Sequence, residues 1–94
     1  MAKKILITDD SALVRKQLGE LISNAGYDVD FAKNGQEAVD KALSEDYNAI
    51  TMDINMPVMD GISAVKAIME QNPTPIVMIS SLTTDEAEIT FEAL

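Results

Sequence analysis

The chain contains neither cysteine nor histidine. Without thiols it can build no disulfide framework and no thiolate zinc site. Without imidazole it lacks the commonest general base and the commonest transition-metal ligand. Any chemistry must therefore rest on carboxylates, hydroxyls, lysine and the backbone. Positive charge is also scarce: 7 lysines and arginines stand against 16 acids, a formal net charge of −9. That balance excludes the electrostatic footprint of a nucleic-acid or anionic-lipid binder and suits a chain that holds a cation or docks on a basic partner. No long apolar run occurs, and Met1-Ala2-Lys3-Lys4 leads directly into a short apolar stretch. The expectation is a cytoplasmic protein without membrane insertion. What remains is ordinary globular composition, 47% hydrophobic and 24% charged, in a single domain over residues 1–94.

Ile5-Leu6-Ile7-Thr8 is a β-branched run that stops at Asp9-Asp10, the mark of a buried strand. Ser11 is placed to cap a helix whose inner face would be Val14, Leu18, Leu21, Ile22 and Ala25, with Gly26 as its stop. Gly19 interrupts that helix at a cost of about 1 kcal/mol relative to alanine; close packing would account for it, and so would an inherited family context. Asp28-Val29-Asp30-Phe31 alternates as a half-exposed edge strand does, and Asn34-Gly35 turns into a helix with Ala38, Val39, Ala42 and Leu43 inward. Ala49-Ile50-Thr51-Met52 is a third strand ending at Asp53, and residues 54–61 are a loop broken by Pro57 and Gly61. Ile62, Val65, Ile68 and Met69 mark a third helix closed by Asn72-Pro73. The apolar strand Ile76-Val77-Met78-Ile79 ends at Ser80-Ser81, and Thr83-Thr84-Asp85-Glu86 reads as a capping box opening a fourth helix through Ala87, Phe91 and Leu94. The methionines and tyrosines read as packing residues.

Strict strand–helix alternation requires parallel strands joined by right-handed crossovers. The fold class is therefore α/β, a parallel sheet between helices, and the order 2-1-3-4 puts the charged second strand on an edge. In such sheets, sites form beyond the carboxyl ends of the strands where the strand order reverses. The residues ending the first and third strands are Asp9-Asp10 and Asp53, with Ser80 one strand further on. Adjacent strands lie about 4.8 Å apart, so these carboxylates converge. Crowded carboxylates repel, and a hard divalent cation such as Mg²⁺ relieves that repulsion. With the cation present, one carboxylate is able to attack a phosphoryl donor and form an aspartyl phosphate. The plain alternative is that these acids merely end strands and cap helices.

Three segments carry a family likeness: Ile5-Leu6-Ile7-Thr8-Asp9-Asp10-Ser11, Met52 to Gly61, and Pro75-Ile76-Val77-Met78-Ile79-Ser80-Ser81. With them the chain resembles, along its whole length, the receiver domains of two-component response regulators, and chemotaxis receivers in particular. The resemblance implies a flavodoxin-like three-layer fold, with Asp53 as the phosphorylated residue. It implies Mg²⁺ held by Asp9, Asp10, Asp53 and the Asn55 carbonyl, and Ser80 as a switch hydroxyl. A histidine kinase or a small phosphodonor such as acetyl phosphate would supply the phosphoryl group. The chain would not be an enzyme beyond its own phosphorylation and dephosphorylation.

Two other readings stand beside this one. An aspartyl-phosphate phosphatase of the haloacid dehalogenase type would carry Asp-x-Asp after its first strand, whereas Asp9 and Asp10 are adjacent. A shortened fragment without signalling activity would explain the absence of the lysine-bearing fifth strand and the fifth helix usual in receivers. That absence also leaves the strand at Ile76–Ile79 as a bare edge, from which a homodimer, formed by pairing or by exchange of elements, is expected.

Overall fold

The computed structural model describes residues 3–54, 56, 58–80 and 88–92, with only the backbone described for Ser80 and for residues 88–92. Its elements run β1 (Lys4–Thr8), α1 (Ala12–Asn24), β2 (Asp28–Ala32), α2 (Gly35–Ser44), β3 (Ala49–Asp53), α3 (Gly61–Gln71), β4 (Ile76–Ser80) and β5 (Glu88–Glu92). The sheet order is β2-β1-β3-β4-β5. The first four strands are parallel, as the alternation requires, in the predicted 2-1-3-4 order. Among the described residues no helix is long and apolar enough to cross a membrane.

The end of the chain departs from expectation. Residues 88–92 form a strand antiparallel to β4, with Val77 opposite Phe91 and Ile79 opposite Ile89, and not the fourth helix. Glu88-Ile89-Thr90-Phe91-Glu92 alternates with a period of two and contains two β-branched residues and an aromatic, all favourable on a pleated surface. β4 offers it an open row of backbone donors and acceptors, and pairing satisfies them. Ala87, Leu94 and the capping box at Thr83–Glu86 lie outside the described residues. The bare edge from which a homodimer is expected is thus taken by the chain's own tail.

The strands' alternation separates two faces. Leu6, Ala32, Ile50, Met52, Ile76 and Met78 point toward α2 and α3, where Ala38, Val39, Ala42, Ala64 and Ile68 complete the main core. The opposite face, with Ile5, Ile7 and Phe31, lies under α1. Gly19 is the one buried residue of α1, and a side chain there would collide with the Phe31 ring. Close packing is therefore the reason for this mid-helix glycine. The same docking turns Leu21 outward, 68% exposed; Leu43 (43%) also sits off the inward face assigned to it, and Ile62, one of the residues that mark α3, is 52% exposed. In each of those helices the small residues, Gly19, Ala38, Ala42 and Ala64, make the close approach, and the larger neighbours are displaced to the flank.

Helix ends follow local chemistry. Ser11, Asn34 and Asp60 cap α1, α2 and α3 by accepting from the backbone N–H of Val14, Glu37 and Ser63. Gly26, at φ 99°, ends α1 with its N–H on the Ser23 carbonyl and the Tyr27 N–H on the Ile22 carbonyl, a left-handed turn that suits glycine.

Candidate functional site

β1 pairs with β2 on one side and β3 on the other, so the strand order reverses between β1 and β3. Thr8 lies opposite Met52, which makes the next residues, Asp9 and Asp53, level at the carboxyl end of the sheet. Asp10 follows on the turn into α1. One oxygen from each of Asp9, Asp10 and Asp53 lies within 4.8 Å of the other two. Asp9 and Asp53 are buried, at 2% and 1% exposure, while Asp10 faces solvent. The three acids singled out in the sequence are therefore brought to one place.

Burial is the main cause that pushes the Asp9 carboxyl up to about 6; the charges of Asp53 and Asp10 add to it, and the hydrogen bond from the Ser11 N–H opposes it. That bond is 2.9 Å long and ties the carboxylate to the start of α1. The Asp9 N–H donates to the Ala32 carbonyl at 3.1 Å, and the Asp9 carbonyl accepts from the Arg15 guanidinium at 2.8 Å. On β3, the Ile54 N–H reaches back to the Ile79 carbonyl at 3.1 Å, carrying the ladder one residue past Asp53.

The donor set fits a hard divalent cation. It consists of oxygen ligands only, two of them are withdrawn from water, and the third opens toward solvent, where a small cation keeps part of its hydration. Burial, with smaller contributions from the two neighbouring carboxylates, raises the proton affinity of Asp9, and a bound cation would offset both. Asn55 lies outside the described residues, as does the side chain of Ser80. The Ser80 backbone follows Ile79, the partner of Asp53, and so sits at the same end of the sheet.

Two glycines that the sequence marked only as breakers hold the loop after Asp53. A Cβ at Gly61 would collide with the Asp53 carbonyl and the Ile54 backbone, and one at Gly35 would collide with the Met59 carbonyl. The amino ends of α3 and α2 thus press directly on the loop that leaves the buried aspartate. Spacing along the sequence carries no sign of such a contact. The lysines that form ion pairs among the described residues, Lys4, Lys33 and Lys41, are engaged with Glu45, Glu37 and Asp30.

A parallel α/β arrangement with a carboxylate cluster at its switch point defines a class of carboxylate-centred sites able to hold a cation. The response regulator receiver domain family matches residues 5–94, and the chain belongs to that family. It is 55% identical over 92 residues to a protein-glutamate methylesterase/protein-glutamine glutaminase of Archaeoglobus fulgidus, covering 97% of this chain and 26% of that protein. It is 52% identical over 96 residues to one from Vibrio cholerae, covering 100% of this chain and 26% of the relative. The chain thus spans about a quarter of the length of these relatives. Among solved structures, the response regulator domain of Thermotoga maritima CheB aligns with a TM-score of 0.81 and 44% identity, over 93% of this chain and 66% of that one. Vibrio cholerae chemotaxis protein CheY4 aligns at 0.82 and 38%, over 90% and 73%. The T. maritima regulator TrrA, in complex with Mg²⁺ and BeF, aligns at 0.82 and 31%, over 87% and 72%.

Proposed function

We propose that this chain is the phosphoaccepting receiver of a chemotaxis-type two-component system, with Asp53 as the acceptor. The convergence of Asp9, Asp10 and Asp53 within 4.8 Å at the strand-order reversal carries this reading. Asp53 is held at the end of β3, between the acid pair on β1 and the end of β4. An Asp53 carboxylate oxygen forms the new bond to phosphorus. The bond from phosphorus to the donor breaks, a P–N bond of a kinase phosphohistidine or the P–O bond of acetyl phosphate, and the electron pair leaves with the donor. Asp9, Asp10, Asp53 and the Asn55 carbonyl would hold Mg²⁺, which supplies charge neutralisation at the phosphoryl oxygens. Ser80 is the switch hydroxyl of this reading.

The chain matches about a quarter of relatives named as methylesterases and glutaminases, and on this reading it is a regulatory part, with the named activity in the remainder. On this reading the chain turns over no outside substrate and works in the cytoplasm. Self-association belongs to the proposal in a narrower form. With β5 on β4 the edge is occupied, and a second copy pairs there only when β5 leaves or is exchanged.

Incubation with acetyl phosphate and Mg²⁺ tests the assignment by intact mass. One phosphoryl group is expected on the parent chain and none on Asp53→Asn or after chelation of the metal. Equal labelling of the variant would refute Asp53 as acceptor. A parent that binds Mg²⁺ and takes no phosphoryl group would instead favour the fragment without signalling activity.

A further inference from the structure

We infer that Arg15 is a positioning residue that aims the Asp9–Asp10 pair at the cation, an assignment that rests on the site reading above. Arg15 is the chain's single arginine. Its main-chain N–H closes the first turn of α1 on the Ser11 carbonyl at 3.0 Å. Its side chain turns back six residues, and Nη1 donates to the Asp9 carbonyl oxygen at 2.8 Å in a partly buried position.

That carbonyl belongs to the planar unit that also contains the Asp10 N–H, so holding the oxygen fixes the plane from which Asp10 departs. The preceding unit is fixed by the Asp9 N–H on Ala32, and the following turn by the Ser11 N–H on the Asp9 carboxylate. Arg15 completes the set. Asp10 faces solvent, where a carboxylate on an untethered turn would sample many directions, and here its Cα–Cβ direction is set by a main chain tied on both sides.

The choice of acceptor matters. A guanidinium bound in a fork to the carboxylates would occupy the lone pairs that a metal needs. Bonded to a carbonyl, Arg15 leaves those oxygens available and still places a permanent positive charge beside the acidic loop. Charged donors make the stronger hydrogen bonds, so the tether resists thermal reorientation better than a neutral one. Arg15 touches no reacting atom, and its influence on the metal passes through Asp9 and Asp10. Partners of this kind, one step behind the ligands, are typically worth about 10- to 100-fold in metal affinity.

The test uses the whole chain with Mg²⁺ alone as the probe, titrated against the amide resonances of Asp10 and Ser11. Arg15→Met, similar in length and uncharged, is expected to bind about 10-fold more weakly. Arg15→Lys, which keeps a charged donor, is expected to recover to within about threefold of the parent. In metal-free buffer the Ser11 amide, which donates to the Asp9 carboxylate, should exchange faster in Arg15→Met, while amides of β3 and β4 keep their protection. A methionine variant that binds Mg²⁺ as the parent does, or a lysine variant no better than methionine, overturns the assignment. A parent that fails to bind Mg²⁺ overturns the site reading itself. The Ser11 exchange rate then decides separately whether Arg15 orders the turn, and an unchanged rate rejects that as well.

Discussion

Asp9 combines burial with two neighbouring carboxylates, and the consequence is a specific pH dependence. Its folded-state value of about 6 lies above the ordinary 3.8, so the folded chain holds this proton more tightly than the unfolded one. The stability it contributes is complete below pH 3.8 and is lost as pH rises through about 6. In metal-free buffer the chain should lose roughly 2 kcal/mol across that window, read by urea denaturation at successive pH values. Asp9→Asn should flatten the profile there. Asp30, Glu45 and Asp60 are shifted downward by their hydrogen-bond donors, so they act at lower pH and in the opposite sense. A parent equally stable at both ends of the window would show that the cluster is not under electrostatic load. The three acids were legible from the sequence, because each follows an apolar strand. The tether from Arg15 was not, since a contact between a helix side chain and a strand-end carbonyl depends on how the helix docks.

At the scale of elements, a second polar cluster ties α2 to the edge of the sheet, away from the acidic site. The Tyr47 hydroxyl lies 2.7 Å from Asp30 Oδ2 and 3.0 Å from Glu45 Oε2. Lys4 bonds the other Glu45 oxygen at 2.8 Å, and Lys41 sits 3.5 Å from Asp30. Burial and those two acceptors push the Tyr47 hydroxyl well above its usual range, so it remains a donor. The same residues guard an edge. Asp28 and Ala32 turn their backbone groups toward β1, which leaves those of Phe31 facing outward. There the Phe31 N–H is taken by Asp30 Oδ1, and its carbonyl by the Lys41 ammonium. A neighbouring chain finds few unpaired groups there to pair with. Tyr47→Phe removes a donor from two carboxylates and should cost about 1–2 kcal/mol, seen as a lower urea midpoint. Phosphorylation at Asp53 should persist in the folded variant, because Tyr47 precedes β3 and Asp53 ends it. Loss of labelling at unchanged stability would contradict that separation. Tyr47 reads as packing in the sequence, and it is buried; its hydrogen bond to Asp30 joins residues 17 positions apart and has no local signature.

For the molecule as a whole, the proposed self-association is expected to depend on what occupies the β4 edge. Adjacent residues in a strand point their N–H groups to opposite sides, so prolines at both Ile89 and Thr90 must remove one ladder donor whichever way β5 faces. The parent is expected to scatter light as a monomer across a dilution series. The Ile89→Pro/Thr90→Pro variant, with β4 uncovered, is expected to gain mass toward a dimer as concentration rises. A variant that stays monomeric would show that the β4 edge needs no cover.

Residue pattern alone determined the alternation of parallel strands and helices, the order 2-1-3-4 and the carboxyl-end address of Asp9, Asp10 and Asp53. Each of these depends on local periodicity and on the handedness of crossovers, both properties of neighbouring residues. Only the tertiary structure decided the rest. Gly19 is small because the Phe31 ring occupies the space its side chain would need, and Gly61 because the Asp53 backbone does. Ala87, Phe91 and Leu94 are spaced as in a helix while residues 88–92 alternate as in a strand, and pairing with β4 selects the strand for 88–92. Arg15 becomes a tether only once α1 lies on β1 and β2, where its guanidinium comes within reach of the Asp9 carbonyl. Long-range contact made these choices, because the energies that distinguish the alternatives belong to pairs of elements and are absent from any single one.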